Sequence, residues 1–444
     1  MPEISNGKKL ASSMLYSVTG RYLVYLVQLL SMMILARIFT PETFGIFAVI
    51  QVFAVFFALL SEMGFGPALI NESKISTQMR DGIYSFTWVL GAAVSVIFFI
   101  ISPLIAWFYG DDIYQYLVIP VGISIVFNTS VIVPMSALNR EKKFITIARC
   151  EAIAEIISVV FLLLTLDYFE PIWALAIKPL VVSIFRYILI LFAAKNTEEG
   201  IPHFGRELGH VKKILAFSKD QAGFNFLNYF SKNLDNILVG KYLGATSLGI
   251  YDKAYRLMRY PLLILTFAMA PAIQPVMKEL RENPPEFERL HIKFTKYMSL
   301  LGALVGILIC IFADEIVFIL LGDKWGDVSI LLRILSISIP TQVVISSSGG
   351  FYQAAGRADL LLKCGFYHAL TSVSAIVIGV YLGGLETLCW LIVISFTINF
   401  IQCYLLMSKH IFPSGLSSVF GTISYGVISS VIILAANFVL ATNF

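Results

Sequence analysis

Charge is the scarcest feature of this sequence. Only 14% of its 444 residues are charged and 58% are hydrophobic, whereas an ordinary soluble domain carries roughly 25% charged residues. A water-soluble fold of this size could not cover its core with so few charges. The net charge of +4 is small and is spread over short segments, which argues against binding to nucleic acid.

Several motifs that carry enzymatic chemistry are also missing. The chain has no GxxxxGK[ST] phosphate loop and no HExxH zinc motif. Its five cysteines form no CxxC pair and mostly lie in apolar segments, which is typical of buried hydrophobic residues. The five histidines are dispersed, and four of them, including His291, lie at or near predicted loops, where we expect them to be solvated or interfacial. We therefore predict that the protein is not an enzyme and needs no cofactor or metal.

Long apolar runs separated by short polar breaks dominate what remains. Runs of about 20 apolar residues predict transmembrane helices, and a membrane barrel would need shorter alternating segments. The fold class is therefore an all-α polytopic membrane protein with about 12–14 transmembrane helices. The candidate helices cover residues 13–38, 43–62, 83–108, 114–138, 146–166, 172–194, 214–241, 249–276, 297–320, 328–353, 364–383, 386–407 and 416–441.

Loop charges predict the orientation. With the N-terminus in the cytoplasm, the inner loops collect most loop lysines and arginines, as the positive-inside rule requires. The basic loop 195–213 divides the chain. We predict an N-terminal six-helix bundle (1–194), a basic cytoplasmic linker (195–213), a C-terminal six-helix bundle (214–407) and an additional C-terminal helix (408–444), with a central cationic cavity between the bundles.

Charged and polar residues inside the predicted spans are the candidate site. A charge facing lipid at mid-bilayer costs about 2.5–3.5 kcal/mol, so such residues must line a polar cavity, pair with each other or lie near the interface. On the seventh helix, Gln221, Asn225, Asn228, Lys232 and Asp235 fall within one arc. This face lines a polar cavity or forms a hydrogen-bonded seam between helices.

Other helices carry similar groups. Arg21 and Gln28 share one face of the first helix. On the eighth, Arg256 and Arg259 lie one turn apart, where they could bracket an anionic group or extend to the outer headgroups. Further candidates lie on the fifth and sixth helices, where glutamates could couple ions or pair with bases; these are Glu151, Glu155, Lys178 and Arg186.

Four segments of the chain resemble a known family. They are LARIFTPETFGIFA (Leu35–Ala48), GFGPALINE (Gly64–Glu72), ALNREKKF (Ala137–Phe144) and NLDNILVGKYLGATSLGIYDKAYRLMRYP (Asn233–Pro261). With these segments, the chain resembles bacterial polysaccharide transporters of the Wzx type. That family belongs to the multidrug/oligosaccharidyl-lipid/polysaccharide flippase superfamily, and the likeness is to its colanic-acid and O-antigen branch.

The resemblance implies a flippase in the bacterial inner membrane. Such proteins move undecaprenyl-diphosphate-linked oligosaccharide units from the cytoplasmic to the periplasmic leaflet, for O-antigen, capsule or exopolysaccharide synthesis. The implied partners are this lipid-linked oligosaccharide, the bilayer and, as a further candidate, a polysaccharide polymerase. On this basis we expect the candidate cations (Arg21, Lys178, Arg186, Lys232, Arg256 and Arg259) to bind the diphosphate or an acidic sugar. Gln28, Gln221, Asn225 and Asn228 would bind sugar hydroxyls, and Asp235, Glu151 and Glu155 are candidates for ion coupling.

Two other functions compete with this interpretation. A drug or organic-cation antiporter of the related extrusion family would favour an acidic, aromatic-lined cavity, whereas the predicted spans carry an excess of basic residues. A membrane-embedded glycosyltransferase, polymerase or ligase would need a large catalytic loop, and the predicted loops are short.

Overall fold

The computed structural model describes residues 2–62, 64–72, 75–209, 211, 229–230, 232–267 and 270–442. In these ranges the chain is built of α-helices and contains no strand. The helices are α1 (Pro2–Ile38), α2 (Pro41–Glu62), α3 (Phe65–Asn71), α4 (Thr77–Tyr109), α5 (Ile113–Ser130), α6 (Ile132–Arg140), α7 (Phe144–Thr165), α8 (Pro171–Ala194), α9 (232–242), α10 (Gly244–Phe267), α11 (Ala270–Glu279), α12 (Pro284–Ile311), α13 (Ala313–Leu320), α14 (Asp327–Ser336), α15 (Ile339–Ala354), α16 (Ala358–Tyr381), α17 (Leu385–His410) and α18 (Ser418–Thr442).

Local sequence signals set the ends of the long helices. In α4 the Ser76 side chain accepts a hydrogen bond from the backbone N–H of Met79 (3.1 Å), which caps the N-terminus. The helix ends at Gly110, whose φ of 78° lies in the left-handed region that glycine adopts without strain. From residue 86 to residue 109 the sequence is almost uniformly apolar, and hydrogen bonding within the helix satisfies the backbone in a membrane.

Within the described ranges, eight helices are long and apolar enough to cross a membrane, and α14 with α15 forms a ninth candidate, bent by 58°. The polytopic helical fold is therefore confirmed. Helix α7 is also long enough to cross a bilayer, since its 22 residues rise about 33 Å. It is less apolar than those eight helices, because Arg149, Glu151 and Glu155 lie within it. Helix α10 is similarly interrupted by Asp252, Lys253 and two arginines.

The chain divides into two compact units, Met1–Lys241 and Tyr242–Phe444. In the first unit, α5 packs against α2, α4 and α8, and α7 packs against α1 and α8. Helix α9 belongs to this unit, because the Tyr109 hydroxyl donates to the Ile237 carbonyl (3.3 Å) and Lys241 donates to the Phe108 carbonyl. The sequence predicts the boundary between the bundles at the loop 195–213, whereas the two compact units divide after Lys241, at the end of α9. The predicted bundle boundary stays a prediction.

In the second unit, α12 packs against α14, α15 and α18, and α16 packs against α17. Close backbone contact is possible because a Cβ atom on Gly302 would lie only 2.8 Å from Cα of Pro340. The start of α12 differs from the sequence prediction, which began this helix at residue 297. It begins at Pro284 instead, because the charged residues of this segment alternate with buried ones, as in an amphipathic helix.

Candidate functional site

A polar pocket of about 430 Å³ lies within the first unit, between α1, α6 and α7. It brings together three residues that the sequence predicts as site residues, Arg21, Gln28 and Glu151. The lining residues of α1 recur every three to four positions and therefore lie on one face of that helix. The same is true of the lining residues of α7. The complete lining is Gly20, Arg21, Val24, Tyr25, Gln28, Met135, Asn139, Phe144, Ile147, Ala148 and Glu151.

Glycine at position 20 lets α1 approach α7 at one end of this pocket. A Cβ atom there would lie 3.0 Å from Cβ of Ala148 and 3.3 Å from the Phe144 carbonyl oxygen. The close approach places Arg21, the next residue, directly at the pocket wall. The pocket thus offers one guanidinium, two side-chain amides, one phenol hydroxyl and one carboxylate, a set that can bind an anionic or hydroxyl-rich group.

Two ion pairs connect α7 and α8 beside the pocket. Lys178 Nζ lies 2.6 Å from Glu155 Oε1, and both side chains are nearly buried. Arg186 Nη1 lies 3.9 Å from Glu151 Oε1, with both side chains more exposed. The glutamates named as coupling candidates therefore contact the bases named as substrate ligands, which is the pairing alternative left open by the sequence.

In the second unit, two of the predicted ligands lie on α10. Arg256 Nε contacts Asp252 Oδ1 at 2.9 Å, and Lys253 Nζ lies 3.3 Å from the other oxygen of the same carboxylate. The Arg256 side chain is half-exposed and Arg259 is exposed. Asp252 thus partly neutralises the cationic pair that the sequence predicts on this helix.

The seventh predicted helix is only partly covered by the structure. On α9, Lys232 is exposed, whereas Asp235 is buried and accepts a hydrogen bond from the backbone N–H of Asn236 (2.8 Å). Gln221, Asn225 and Asn228 lie outside the described residues. The polar arc predicted on this helix therefore stays a prediction.

A polar cluster at the start of the linker was missed by the sequence. Arg140 Nε contacts Glu199 Oε1 at 2.7 Å, and its Nη1 donates to the Leu69 carbonyl at 3.0 Å. Arg80 contacts Asp81 at 2.8 Å and donates to the Glu199 carbonyl. Burial raises the pKa of Glu199, although the two arginines oppose this shift.

Backbone packing fixes the linker on the N-terminal end of α4. The backbone N–H of His203 donates to Asp81 Oδ1 at 3.0 Å. A Cβ atom on Gly82 would lie 1.8 Å from the Glu207 carbonyl oxygen, so only glycine fits there. Gly82 on α4 and Gly205 in the linker were the available sequence signal for this close packing. A glycine alone, however, does not identify the segment that packs against it.

Comparison with known proteins gives the family. The sequence profile described as "Polysaccharide biosynthesis protein" matches residues 34–330, about two thirds of the chain. The chain is 24% identical to the teichuronic acid biosynthesis protein TuaB of Bacillus subtilis (strain 168), covering 90% of this chain and 82% of that protein. It is also 24% identical to the lipopolysaccharide biosynthesis protein WzxC of Escherichia coli (strain K12), covering 92% and 82%. The succinoglycan biosynthesis transport protein ExoT of Rhizobium meliloti (strain 1021) is 21% identical, covering 88% and 78%.

Solved structures share the fold. The inward closed conformation of the lipid II flippase MurJ superposes with a TM-score of 0.74 at 15% identity, covering 97% of this chain and 93% of that one. An inward-facing multidrug resistance transporter of the MATE family, in the MOP superfamily, gives a TM-score of 0.60 at 14% identity, covering 97% and 98%. The structural likeness indicates the fold alone, whereas the profile match assigns the family. The chain belongs to the polysaccharide biosynthesis protein family.

Proposed function

We propose that the protein is a flippase that moves undecaprenyl-diphosphate-linked oligosaccharide units from the cytoplasmic to the periplasmic leaflet of the bacterial inner membrane. The observation that carries this proposal is the pocket with Arg21 and Gln28 inside an apolar helical unit. The family match and the names of the curated relatives, which concern polysaccharide synthesis or transport, support it.

The physical task explains why such a pocket is needed. Each sugar hydroxyl that loses water without gaining a hydrogen bond costs about 4–8 kcal/mol on an alkane scale. An oligosaccharide with many hydroxyls therefore cannot cross bare hydrocarbon. A polar cavity replaces the lost water contacts, while the polyprenyl tail stays in lipid. Exposing this cavity to one leaflet at a time completes the transfer without any covalent step.

Within the pocket, we assign Arg21 to the diphosphate. A guanidinium can donate two parallel hydrogen bonds to phosphate oxygens, which a lysine cannot do. Gln28 would hydrogen-bond the sugar. The carboxylate of Glu151 would repel the diphosphate, but Arg186 lies 3.9 Å from it and offsets its charge. The local balance of these groups then remains favourable to an anion.

The other predicted residues have graded roles in this proposal. The short contact with Glu155 occupies the ammonium group of Lys178, so we assign this pair to positioning of α7 and α8. Arg256 and Arg259, which lie exposed on α10, are further candidates for an acidic sugar or headgroup. Lys232 and Asp235 on α9, and the three polar residues outside the described ranges, keep their predicted roles as candidates.

We also propose that the protein acts as a transporter rather than an enzyme and that a polysaccharide polymerase receives its product. The loop charges support an N-terminus in the cytoplasm. The organic-cation antiporter shares the fold, as the MATE likeness illustrates. The sequence relatives named above favour polysaccharide transport instead.

A deletion strain tests the proposal. We expect complete oligosaccharide units to accumulate on the polyprenyl carrier and the surface polysaccharide to disappear, and the wild-type gene to reverse both. Arg21→Gln should fail to complement, whereas Arg37→Gln, the same change at an exposed position of α1 outside the pocket, should succeed. An unchanged lipid-linked pool together with increased drug sensitivity would instead support the antiporter.

A further inference from the structure

The pocket in the first unit contains a polar side chain near Arg21 that the sequence analysis did not single out. Asn139 lies in the last turn of α6 and lines the pocket. Its side-chain amide makes no hydrogen bond to any residue in the part of the chain that the structure describes. In other helices, Asn233 Nδ2 donates to the Tyr229 carbonyl (2.9 Å), and Asn399 Oδ1 accepts from a threonine hydroxyl (2.9 Å). The amide of Asn139 is therefore available to a molecule in the pocket.

Asn139 and Arg21 lie at the same end of the pocket. The backbone N–H of Lys142 donates to the Asn139 carbonyl (3.0 Å), which closes a tight turn between α6 and α7. Helix α7 therefore begins beside Asn139, at Phe144, which is also a lining residue. On α1, a Cβ atom at Gly20 would lie 3.3 Å from the Phe144 carbonyl oxygen. Arg21 and Asn139 thus belong to the end of the pocket formed by the α6–α7 turn, on walls from two different helices.

The acidic residue of the pocket lies towards its other end. Glu151 is two helical turns beyond Phe144 on α7, a rise of about 10 Å. Gln28 is likewise two turns beyond Arg21 on α1. One end of the pocket therefore carries a guanidinium and an amide, and the other carries an amide and a carboxylate. An anion is better placed at the first end, where it lies farther from the Glu151 carboxylate.

Arg140, the next residue, anchors Asn139 from outside the pocket. Its Nε contacts Glu199 Oε1 at 2.7 Å, and its Nη1 donates to two backbone carbonyls at the C-terminal end of α3. On the other side of Asn139, Leu138 is fully buried in a hydrophobic cluster. Asn139 is therefore flanked by one anchored and one buried residue. Its position is fixed before a substrate binds, so little ordering is needed on binding.

The linker also holds the α6–α7 turn itself. Lys143 Nζ lies 2.6 Å from Glu141 Oε2 and donates to the Asn196 carbonyl (2.6 Å). The other oxygen of Glu141 accepts a hydrogen bond from the Glu198 backbone N–H (2.6 Å). Between these residues, Lys142 has a φ of 57°, a left-handed conformation that a non-glycine residue keeps only where its surroundings fix it. The linker contacts thus set the shape of this turn.

We propose that Asn139 is a second ligand of the diphosphate and that Arg140 is the positioning residue that holds Asn139 at the pocket wall. This assignment rests on the proposed function, because it concerns the ligands of the same pocket. Arg21 binds one phosphate through its guanidinium, and Asn139 donates its amide N–H to the neighbouring phosphate. Because a single phosphate does not reach both groups, the pair distinguishes a lipid diphosphate from a lipid monophosphate.

Native mass spectrometry of the full-length protein, titrated with undecaprenyl diphosphate or undecaprenyl phosphate, tests the ligand assignment. Asn139→Ala should weaken binding of the diphosphate about tenfold or more, because a hydrogen bond to a charged group is lost. Binding of the monophosphate should stay unchanged. The melting temperature should also match wild type, since the deleted amide bonds to no described residue. Equal losses for the two lipids, or no loss for either, would overturn the assignment.

A double variant tests the positioning role of Arg140. Arg140→Gln should weaken diphosphate binding, because Asn139 loses its anchor, and the double variant Asn139→Ala/Arg140→Gln should bind no more weakly than Asn139→Ala. Lys142→Gln removes the same charge from an exposed residue of the same turn and should bind both lipids like wild type. If Arg140→Gln does not fold, Glu199→Gln weakens the same anchor and takes its place. Losses that multiply in the double variant would refute the positioning role.

Wild-type binding separates this assignment from the proposed function. A wild-type protein that binds the diphosphate lipid, with equal binding by Asn139→Ala, would contradict the assignment of Asn139 and leave the proposed function standing. A wild-type protein that binds neither lipid would contradict the proposed function, and the assignment with it.

Discussion

Replacing Lys178 by methionine should destabilise the first unit far more than the corresponding change at Arg186. Both bases extend from α8 to a glutamate on α7, so the two variants test the same helix pair. The contacts differ, because Lys178 lies 2.6 Å from Glu155 with side chains only 14% and 12% exposed, whereas Arg186 lies 3.9 Å from Glu151 with 27% and 29% exposed.

The magnitude follows from this geometry. At an effective dielectric constant of about 20, charges 2.6 Å apart attract by about 6 kcal/mol, much of which offsets desolvation. Without Lys178, the carboxylate of Glu155 remains charged at a cost of about 3–5 kcal/mol. We expect a loss of about 3–4 kcal/mol for Lys178→Met, against about 1 kcal/mol or less for Arg186→Met.

Thermal unfolding of the purified proteins in detergent, followed by tryptophan fluorescence, measures this difference. The midpoint should fall by roughly 10 °C for Lys178→Met, at about 2–4 °C per kcal/mol for a unit of this size. The double variant Lys178→Met/Glu155→Gln should recover most of the loss, since no charge is left without a partner. Equal midpoints for Lys178→Met and wild type, or a double variant no more stable than the single one, would refute the reasoning.

Three further predictions concern the first unit. Arg21→Lys should reduce flipping at least tenfold with an unchanged melting temperature, because lysine cannot hold two phosphate oxygens at once; a wild-type rate in vesicles would contradict this. Gly82→Val should release the linker, since even a Cβ atom would lie 1.8 Å from the Glu207 carbonyl oxygen, and limited proteolysis at the linker should speed up markedly. Glu199→Gln should leave stability at pH 7 unchanged or increase it. The pKa of Glu199 is raised in the fold, so its charged form disfavours folding, and wild-type stability should rise as the pH falls from 7 towards 5; a fall over this range would contradict the assignment.

Much of the helical fold was predictable, because apolar runs in a membrane protein have few alternatives. The face of α1 that carries Arg21 and Gln28 followed from helical periodicity, and the pocket contains both. The partners across the pocket did not follow, since periodicity within one helix does not identify the helix it faces. The sequence places the start of α12 too late, because the charged residues of this segment are typical of a loop. His291 lies within the helix instead, where it is buried rather than solvated.

The ion pairs between α7 and α8 left a signal in the sequence. The two helices form an antiparallel hairpin, so residues equally distant from the turn at 166–170 lie at the same level. Glu151 and Arg186 satisfy this condition closely, and Glu155 and Lys178 approximately. The cluster around Arg140 left no such signal, because it depends on backbone carbonyls of Leu69 and Glu72, which any residue type supplies.

The central claim is that this chain alone moves a lipid-linked oligosaccharide between leaflets. The most direct measurement uses purified protein in vesicles loaded with lipid-linked oligosaccharide from the deletion strain, with a membrane-impermeant glycosidase added outside. If the proposal is right, wild-type vesicles will expose nearly all of the glycan over time, Arg21→Gln vesicles will resemble protein-free vesicles in exposing about half, and Arg37→Gln will match wild type. Folded wild-type protein that exposes no more glycan than protein-free vesicles would contradict it.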